Sequence, residues 1–258
     1  MITSKSNLKV KRIKKLQKSS KARNEENVFV VEGPKMIFEM PRDQMLECFV
    51  GESFFKKNKG KIVETGLTYE LVSDEVFASL TDTKNPQGIV GVIKQSDYSL
   101  EDLLKGSAPP LLLILESIQD PGNLGTIFRT AWAAGVTGII MNHQCADIYN
   151  PKTIRSTMGA ITRMPFIVAR DFECCVRTVG EWGVKLVATH TKATKSYDGE
   201  NYQGAVGFII GNESQGLREQ TLGLAKEWVK IPMKGQAESL NAAIAAGILV
   251  YEACRQRG

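Results

Sequence analysis

From Leu111 to the C-terminus the sequence alternates short apolar runs with segments of helical period, and that rhythm leaves few folds open. Leu111–Leu115 (LLLIL) is a continuous apolar run, as expected of a strand buried on both faces. Pro121 then opens a helix at its first position. Leu124, Ile127, Phe128 and Ala131 recur at core spacing, and Gly135 supplies the stop. The same reasoning predicts strands at 138–141, 166–169, 185–189, 207–210 and 228–231, with helices at 151–158, 172–182, 217–226 and 238–255. Alternation of this kind implies an α/β fold with a mostly parallel sheet covered on both faces.

The first 95 residues read differently. A helix capped by Ser4 or Ser6 is expected through Leu8, Val10, Ile13 and Leu16. It is followed by a strand at 28–31, a helix at 34–40, apolar runs at 45–50 and 69–72, and a strand at 88–94. This describes a small mixed α/β domain over 1–95, a linker over 96–110 ending in Pro109-Pro110, and a second domain over 111–258. Charge separates the ends. Residues 1–23 hold nine Lys and Arg and no acid, leaving 24 basic against 28 acidic residues in the remainder. A solvated helix is the plain reading of that run, but nine uncompensated cations favour an external anion.

Several classes are excluded. With 43% hydrophobic and 24% charged residues the chain has the composition of a globular protein. No apolar run reaches the length of a membrane span, and no apolar segment follows the basic N-terminus, so a cytoplasmic protein is expected. Five cysteines without CxxC spacing fit reduced thiols, and two histidines argue against a histidine-rich metal site or a His-centred triad. Neither GxGxxG after the first strand nor a Walker-type loop is present, which weakens nicotinamide and nucleoside-triphosphate readings.

In open α/β sheets ligands bind beyond the C-terminal strand ends, and three loops at such ends are rich in Gly, Asn and small polar residues. The first, Asp120-Pro121-Gly122-Asn123-Leu124-Gly125, leads to Arg129, which shares a helix face with the two glycines. Taken alone, this segment is better read as close helix–sheet packing with a solvent arginine. The second, Gly211 to Gly216 (GNESQG), is either a strand-to-helix turn or a backbone-lined pocket with Glu213 facing the ligand. The third, Ile231 to Asn241 (IPMKGQAESLN), feeds a helix rich in Ala and Gly. Its small residues permit close approach, and Leu240, Ile244, Ile248 and Tyr251 form an apolar side.

Together, DPGNLGTIFRTA from Asp120, IIGNESQGL from Ile209 and IPMKGQAESLNAAIAAGI from Ile231 resemble the three signature motifs of the SpoU-type (TrmH-like) RNA 2′-O-methyltransferases of the SPOUT superfamily. NPKTIRSTMGA from Asn150 is similar to the family's intermediate basic segment, including Lys152 and Arg155. The N-terminal stretches ITSKSNLKVKRIKKL and FVVEGPKMIFE resemble the substrate-binding extension of rRNA-directed members. Glu116 stands where similar proteins often have Asp, and Ser214 where Gly is frequent.

The resemblance implies a catalytic domain with a deep trefoil knot, S-adenosylmethionine as cofactor, a homodimer and no metal. It implies that Thr189, Gly211, Ile231, Met233 and Leu240 border the cofactor. Asn123, Glu213, Ser239 and Asn241 would position cofactor and nucleotide, with Arg129 as the central RNA-side residue. In the family that arginine has been proposed to deprotonate the ribose hydroxyl; a guanidinium, with donors only, better suits clamping the adjacent phosphate. The implied activity is methylation of a ribose 2′-hydroxyl in ribosomal RNA. A tRNA 2′-O-methyltransferase and a non-catalytic RNA-binding or ribosome-assembly factor are the alternatives. The N-terminal extension speaks against the first, and the retained Asn123, Arg129, Glu213 and Asn241 against the second.

Overall fold

The computed structural model describes residues 1–81, 83 and 85–258. The chain forms two compact units, residues 1–96 with 149–154 and residues 97–148 with 155–258. In the first unit Asn7, rather than Ser4 or Ser6, caps helix α1 (Leu8–Lys18) by accepting from the Lys9 N–H at 2.9 Å. Helix α2 (Ser20–Glu26) follows directly, capped by Ser19. Then come β1 (Val28–Glu32), α3 (Pro34–Glu39), β2 (Met45–Gly51), α4 (Glu52–Glu64), β3 (Glu70–Val72), α5 (Asp74–Ala78) and β4 (Ile89–Lys94). The strands form a mixed sheet in the order β1-β4-β2-β3, with only β2 and β3 parallel. Val10, Ile13 and Leu16 of α1 enter its core beside Val30, Phe49, Val72 and Val92. Helix α4 is nearly illegible in sequence because Ile62 is its one buried residue and Asn58 kinks it.

The structure corrects the reading of the basic N-terminus as uncompensated. Lys5 pairs with Glu75 at 2.7 Å, Lys9 with Glu70, Arg12 with Glu26 and Glu47, and Lys21 with Glu25. Arg23 is buried and donates to the carbonyls of Leu16 and Gln17 at the end of α1. Apart from Glu25, all these counter-charges lie 14 or more residues from their partners, so local counting misses them.

The second unit contains β5 (Leu111–Leu115), α6 (Pro121–Ala133), β6 (Gly138–Met141), β7 (Phe166–Val168), α8 (Phe172–Glu181), β8 (Lys185–Thr189), β9 (Lys195–Ser196), β10 (Val206–Ile210), α9 (Glu219–Leu222), β11 (Glu227–Lys230) and α10 (Ala242–Arg257); α7 (Pro151–Thr157) draws residues from both units. The seven strands pair in the order β7-β6-β5-β10-β8-β11-β9, every pairing parallel. Strand β10 is slotted between β5 and β8, although β8 precedes it in the chain. Part of the stretch expected as linker packs on this sheet. Leu103, in a 3-10 turn at Glu101–Leu104, is fully buried over Gly138, where an added Cβ would come within 2.3 Å of it.

Two helices differ from expectation. Helix α9 is short: past the Gly223 C-cap the Leu224 and Ala225 N–H groups close tighter turns on the Thr221 and Leu222 carbonyls at 3.1 and 3.2 Å, and the Trp228 indole N–H shares the latter at 3.2 Å. Helix α10 starts four residues late, where Asn241 caps it. Its small residues Ala242, Ala243 and Ala246 face inward, while Ile244 and Tyr251 remain about half exposed. Among the described residues no helix is long and apolar enough to cross a membrane.

Burial raises the thiol pKa of Cys48 to about 12 and those of Cys145 and Cys175 to about 11, whereas Cys174 is exposed. Alkylation at pH 8 followed by mass spectrometry is expected to modify Cys174 first and Cys48 last, because only the thiolate attacks. Leu103→Ala is expected to cost about 2–5 kcal/mol through an unfilled cavity over β6, read as a lower unfolding midpoint.

Candidate active site

The C-terminal ends of β8, β10 and β11 open into a cavity of about 700 Å³. Its walls come from Thr189 to Thr191, from the turn after β10, and from the loop leading to α10. The turn is shaped by one tight approach. A Cβ on Gly211 would lie 2.5 Å from the Gly216 carbonyl carbon, and Asn212 and Gly216 exchange backbone hydrogen bonds at 3.1 and 3.0 Å. The sequence therefore needs Gly211 here. Asn212 locks the turn from within: its Oδ1 accepts from the Ser214 and Gln215 N–H groups, and its Nδ2 donates to the Ser117 carbonyl at 2.8 Å. Ser117, after β5, has φ +57°, a left-handed conformation unusual for serine.

A buried carboxylate anchors the far end of the turn. Glu116, 1% exposed, accepts from the Arg218 N–H at 3.0 Å, the Arg218 Nε at 2.5 Å and the Thr221 hydroxyl at 2.7 Å. Arg218 also reaches Glu173 at 2.6 Å. With three donors the buried charge is well compensated. Glutamate at 116 is thus accommodated as an anchor of the segment that follows β10.

Three side chains distant in sequence meet beside the cavity. Asn241 Nδ2 donates to Asn123 Oδ1 at 2.8 Å, and Asn123 Nδ2 donates to Glu213 Oε1 at 2.6 Å. The polarity of this relay is set at one end. As the cap of α10, Asn241 must present its Oδ1 to the N–H groups of Ala243 and Ile244, at 2.9 and 3.3 Å. Only its amide nitrogen is left for Asn123, which must answer with oxygen and so turns its own nitrogen to Glu213. Asn123 is held in turn on the first turn of α6, where its N–H donates to the Asp120 cap at 2.8 Å.

The expected residues thus fall into two sets. Thr189, Gly211, Glu213, Ile231, Met233, Ser239 and Leu240 line the cavity. Asn123 and Asn241 stand outside its wall and are joined to it through Glu213. Arg129 lies on α6 exposed, with no hydrogen bond or ion pair among the described residues. Glu213 is accompanied by Lys230 and Glu238 as charged wall residues, which the sequence reading did not foresee. His190 was also missed. It lines the cavity, its ring 5.4 Å from that of Trp228, and its Nδ1 accepts from the Lys192 N–H at 3.1 Å. Its position one residue past the Thr189 strand end was the available signal. No cluster of three metal-ligating side chains occurs among the described residues.

The SpoU rRNA Methylase family profile matches residues 110–251, and the MRM3-like substrate binding domain profile matches residues 7–91. The chain is 33% identical over 253 residues to the 23S rRNA (guanosine(2553)-2′-O)-methyltransferase RlmP of Bacillus subtilis, covering 97% of each protein. Among solved structures it is similar to the AdoMet-bound rRNA methyltransferase of Sinorhizobium meliloti, with 33% identity, a TM-score of 0.85 and coverage of 98% and 97% of the two chains. It is also similar to the SpoU methyltransferase AviRb of Streptomyces viridochromogenes in complex with AdoMet, at 25% identity, a TM-score of 0.85 and coverage of 97% and 98%.

Gly211→Ala is expected to force the turn at 211–216 open and narrow the cavity. A crystal structure of the variant should show Gly216 displaced, with a lowered unfolding midpoint.

Proposed function

The chain belongs to the SpoU rRNA methylase family, and from that premise we propose that it transfers a methyl group from S-adenosylmethionine to a ribose 2′-hydroxyl of ribosomal RNA. The observation that carries this reading is the meeting of Asn123, Glu213 and Asn241, from three separate motifs, at the rim of one cavity. A protein that only bound RNA would have no need of that convergence.

The residues present suit the cofactor. A cavity of about 700 Å³ is of the size that holds a cofactor. Ile210, Met233 and Leu240 offer apolar wall to an aromatic base, the turn at 211–216 offers backbone groups, and Glu213 and Glu238 offer negative charge toward a sulfonium. When bound, S-adenosylmethionine supplies a methyl group electrophilic enough to be taken by an oxygen. Thr189, Gly211, Ile231, Met233 and Leu240 would hold it. Glu213, kept in place by Asn123, and Ser239 would orient the nucleotide at the rim. Fixing the hydroxyl in line with the methyl group accounts for several kcal/mol of such a barrier. Arg129, free of internal partners, would clamp a phosphate of the target strand. The hydroxyl itself selects RNA over DNA.

Three finer features belong to the same proposal. The slotting of β10 between β5 and β8 supports a deep trefoil knot in the catalytic domain. The half-exposed Ile244 and Tyr251 on α10, with Trp132 exposed on α6, support a homodimer built on these helices. The N-terminal unit is assigned to recognition of the RNA, which favours ribosomal RNA over a tRNA substrate, and the protein acts in the cytoplasm.

Calorimetry with S-adenosylmethionine tests the enzyme reading, and absence of binding by folded protein would overturn it. Arg129→Ala is expected to lower methyl transfer to rRNA by at least about 100-fold (about 2.7 kcal/mol) while S-adenosylmethionine binds as before. Asn241→Asp is expected to be more damaging than Asn241→Ser. The carboxylate has no donor for Asn123, which must then turn its own oxygen toward Glu213, and single-turnover rates should fall accordingly.

A further inference from the structure

Of the first unit's cations without an ion pair among the described residues, four are aligned on one helix. Lys11, Lys14, Lys15 and Lys18 form no ion pair among the described residues. Their spacing, i, i+3, i+4 and i+7, places them on one face of α1, opposite the buried Val10, Ile13 and Leu16. Lys11, Lys15 and Lys18 are exposed and Lys14 is partly so. Over seven residues the stripe is about 10 Å long, close to one Debye length at physiological salt, so its charges act as a unit.

Such a stripe is locally unfavourable. Like charges three and four residues apart repel by roughly 0.2–0.5 kcal/mol per pair. The helix end does not require them as caps either, because the Arg23 guanidinium already serves the carbonyls of Leu16 and Gln17. Elsewhere in this unit the exposed Lys5, Lys9, Lys21 and Lys56 each have a carboxylate, whereas other exposed cations, Lys57, Lys59 and Lys61 of α4 among them, have no ion pair among the described residues. What sets the stripe apart is its alignment: four charges without a carboxylate partner lie along one helix face, where a polyanion from outside the unit can meet them together.

We infer that the Lys11–Lys14–Lys15–Lys18 face of α1 is the contact surface for the RNA phosphate backbone, while the remaining N-terminal cations hold the unit together. This rests on the RNA-methyltransferase reading above. It narrows the binding surface from a basic segment to one face of one helix. An anionic membrane is the other polyanion to weigh, but α1 has committed Val10, Ile13 and Leu16 to the core and keeps Leu8 alone exposed, too little apolar face to insert.

The test compares K11Q/K14Q/K15Q/K18Q with K5Q/K9Q/K21Q/K56Q, which removes the same charge from paired positions. Glutamine has nearly the helix propensity of lysine, and circular dichroism checks that both fold. Binding to protein-free 23S rRNA is measured from 50 to 300 mM salt. The stripe variant is expected to lose about tenfold or more in affinity and to flatten the slope of log K against log salt by about 3. The paired variant should keep most of both, and both should bind S-adenosylmethionine as the unmutated chain does. Equal losses in the two variants, or an unchanged slope in the first, would overturn the inference. Loss of binding to phosphatidylserine vesicles without any change toward RNA would do the same. Failure of the unmutated chain to bind S-adenosylmethionine or methylate the RNA would instead sink the enzyme reading, and the RNA-binding arm still judges the stripe by itself.

Discussion

The hydrogen bonds that cap α10 set the organisation of the site. Asn241 has one amide, and its oxygen is claimed by the first N–H groups of the helix. That commitment fixes the direction of every later bond in the relay through Asn123 to Glu213. Neutral hydrogen bonds contribute about 1 kcal/mol each and one to a carboxylate somewhat more. Their larger effect here is on specificity of arrangement, since reversing one amide leaves an oxygen facing a carboxylate. A helix cap, normally a device for local stability, thereby orients a carboxylate at the cavity wall.

The same economy appears on the other side of the turn. Glu116 at the end of β5 is buried, yet its oxygens are matched by Arg218 and Thr221 on the segment after the turn. Ser117 beside it receives the Asn212 side chain. The turn at 211–216 is thus tied at both ends to the strand next to β10, and its interior has no room for a Cβ at Gly211. A rigid wall of this kind suits a site whose task is to hold two reactants in line. The first unit follows a different logic. Several of its ion pairs, Lys5–Glu75, Lys9–Glu70 and Arg12–Glu47, join segments far apart in sequence, and those at the surface contribute little individually. What they change is the distribution of charge, leaving one lysine face of α1 unmatched.

Much of this was legible in the sequence. The apolar runs at Leu111–Leu115 and Val206–Ile210, and the Pro121 and Gly135 boundaries of α6, follow from periodicity and backbone preference. Helix α4 was not legible because Ile62 is its one buried residue, and α5 because its five residues are too few to show a helical period. Helix α9 ends early, at the Gly223 C-cap, where the backbone tightens into turns and the Trp228 indole joins the Leu222 carbonyl.

The sequence by itself determined the alternation of strands and helices, the three polar loops and the family they mark, because these depend on residue order and local backbone preference. Only the tertiary structure decided which of nine N-terminal cations are neutralised, which face of α10 is buried, and that Asn123 and Asn241 meet Glu213 outside the cavity wall. Most of those outcomes depend on distant partners: 70 residues separate Lys5 from Glu75, 90 separate Asn123 from Glu213 and 118 separate Asn123 from Asn241. No local pattern encodes such a distance; it is set when the parallel sheet brings its strand ends together.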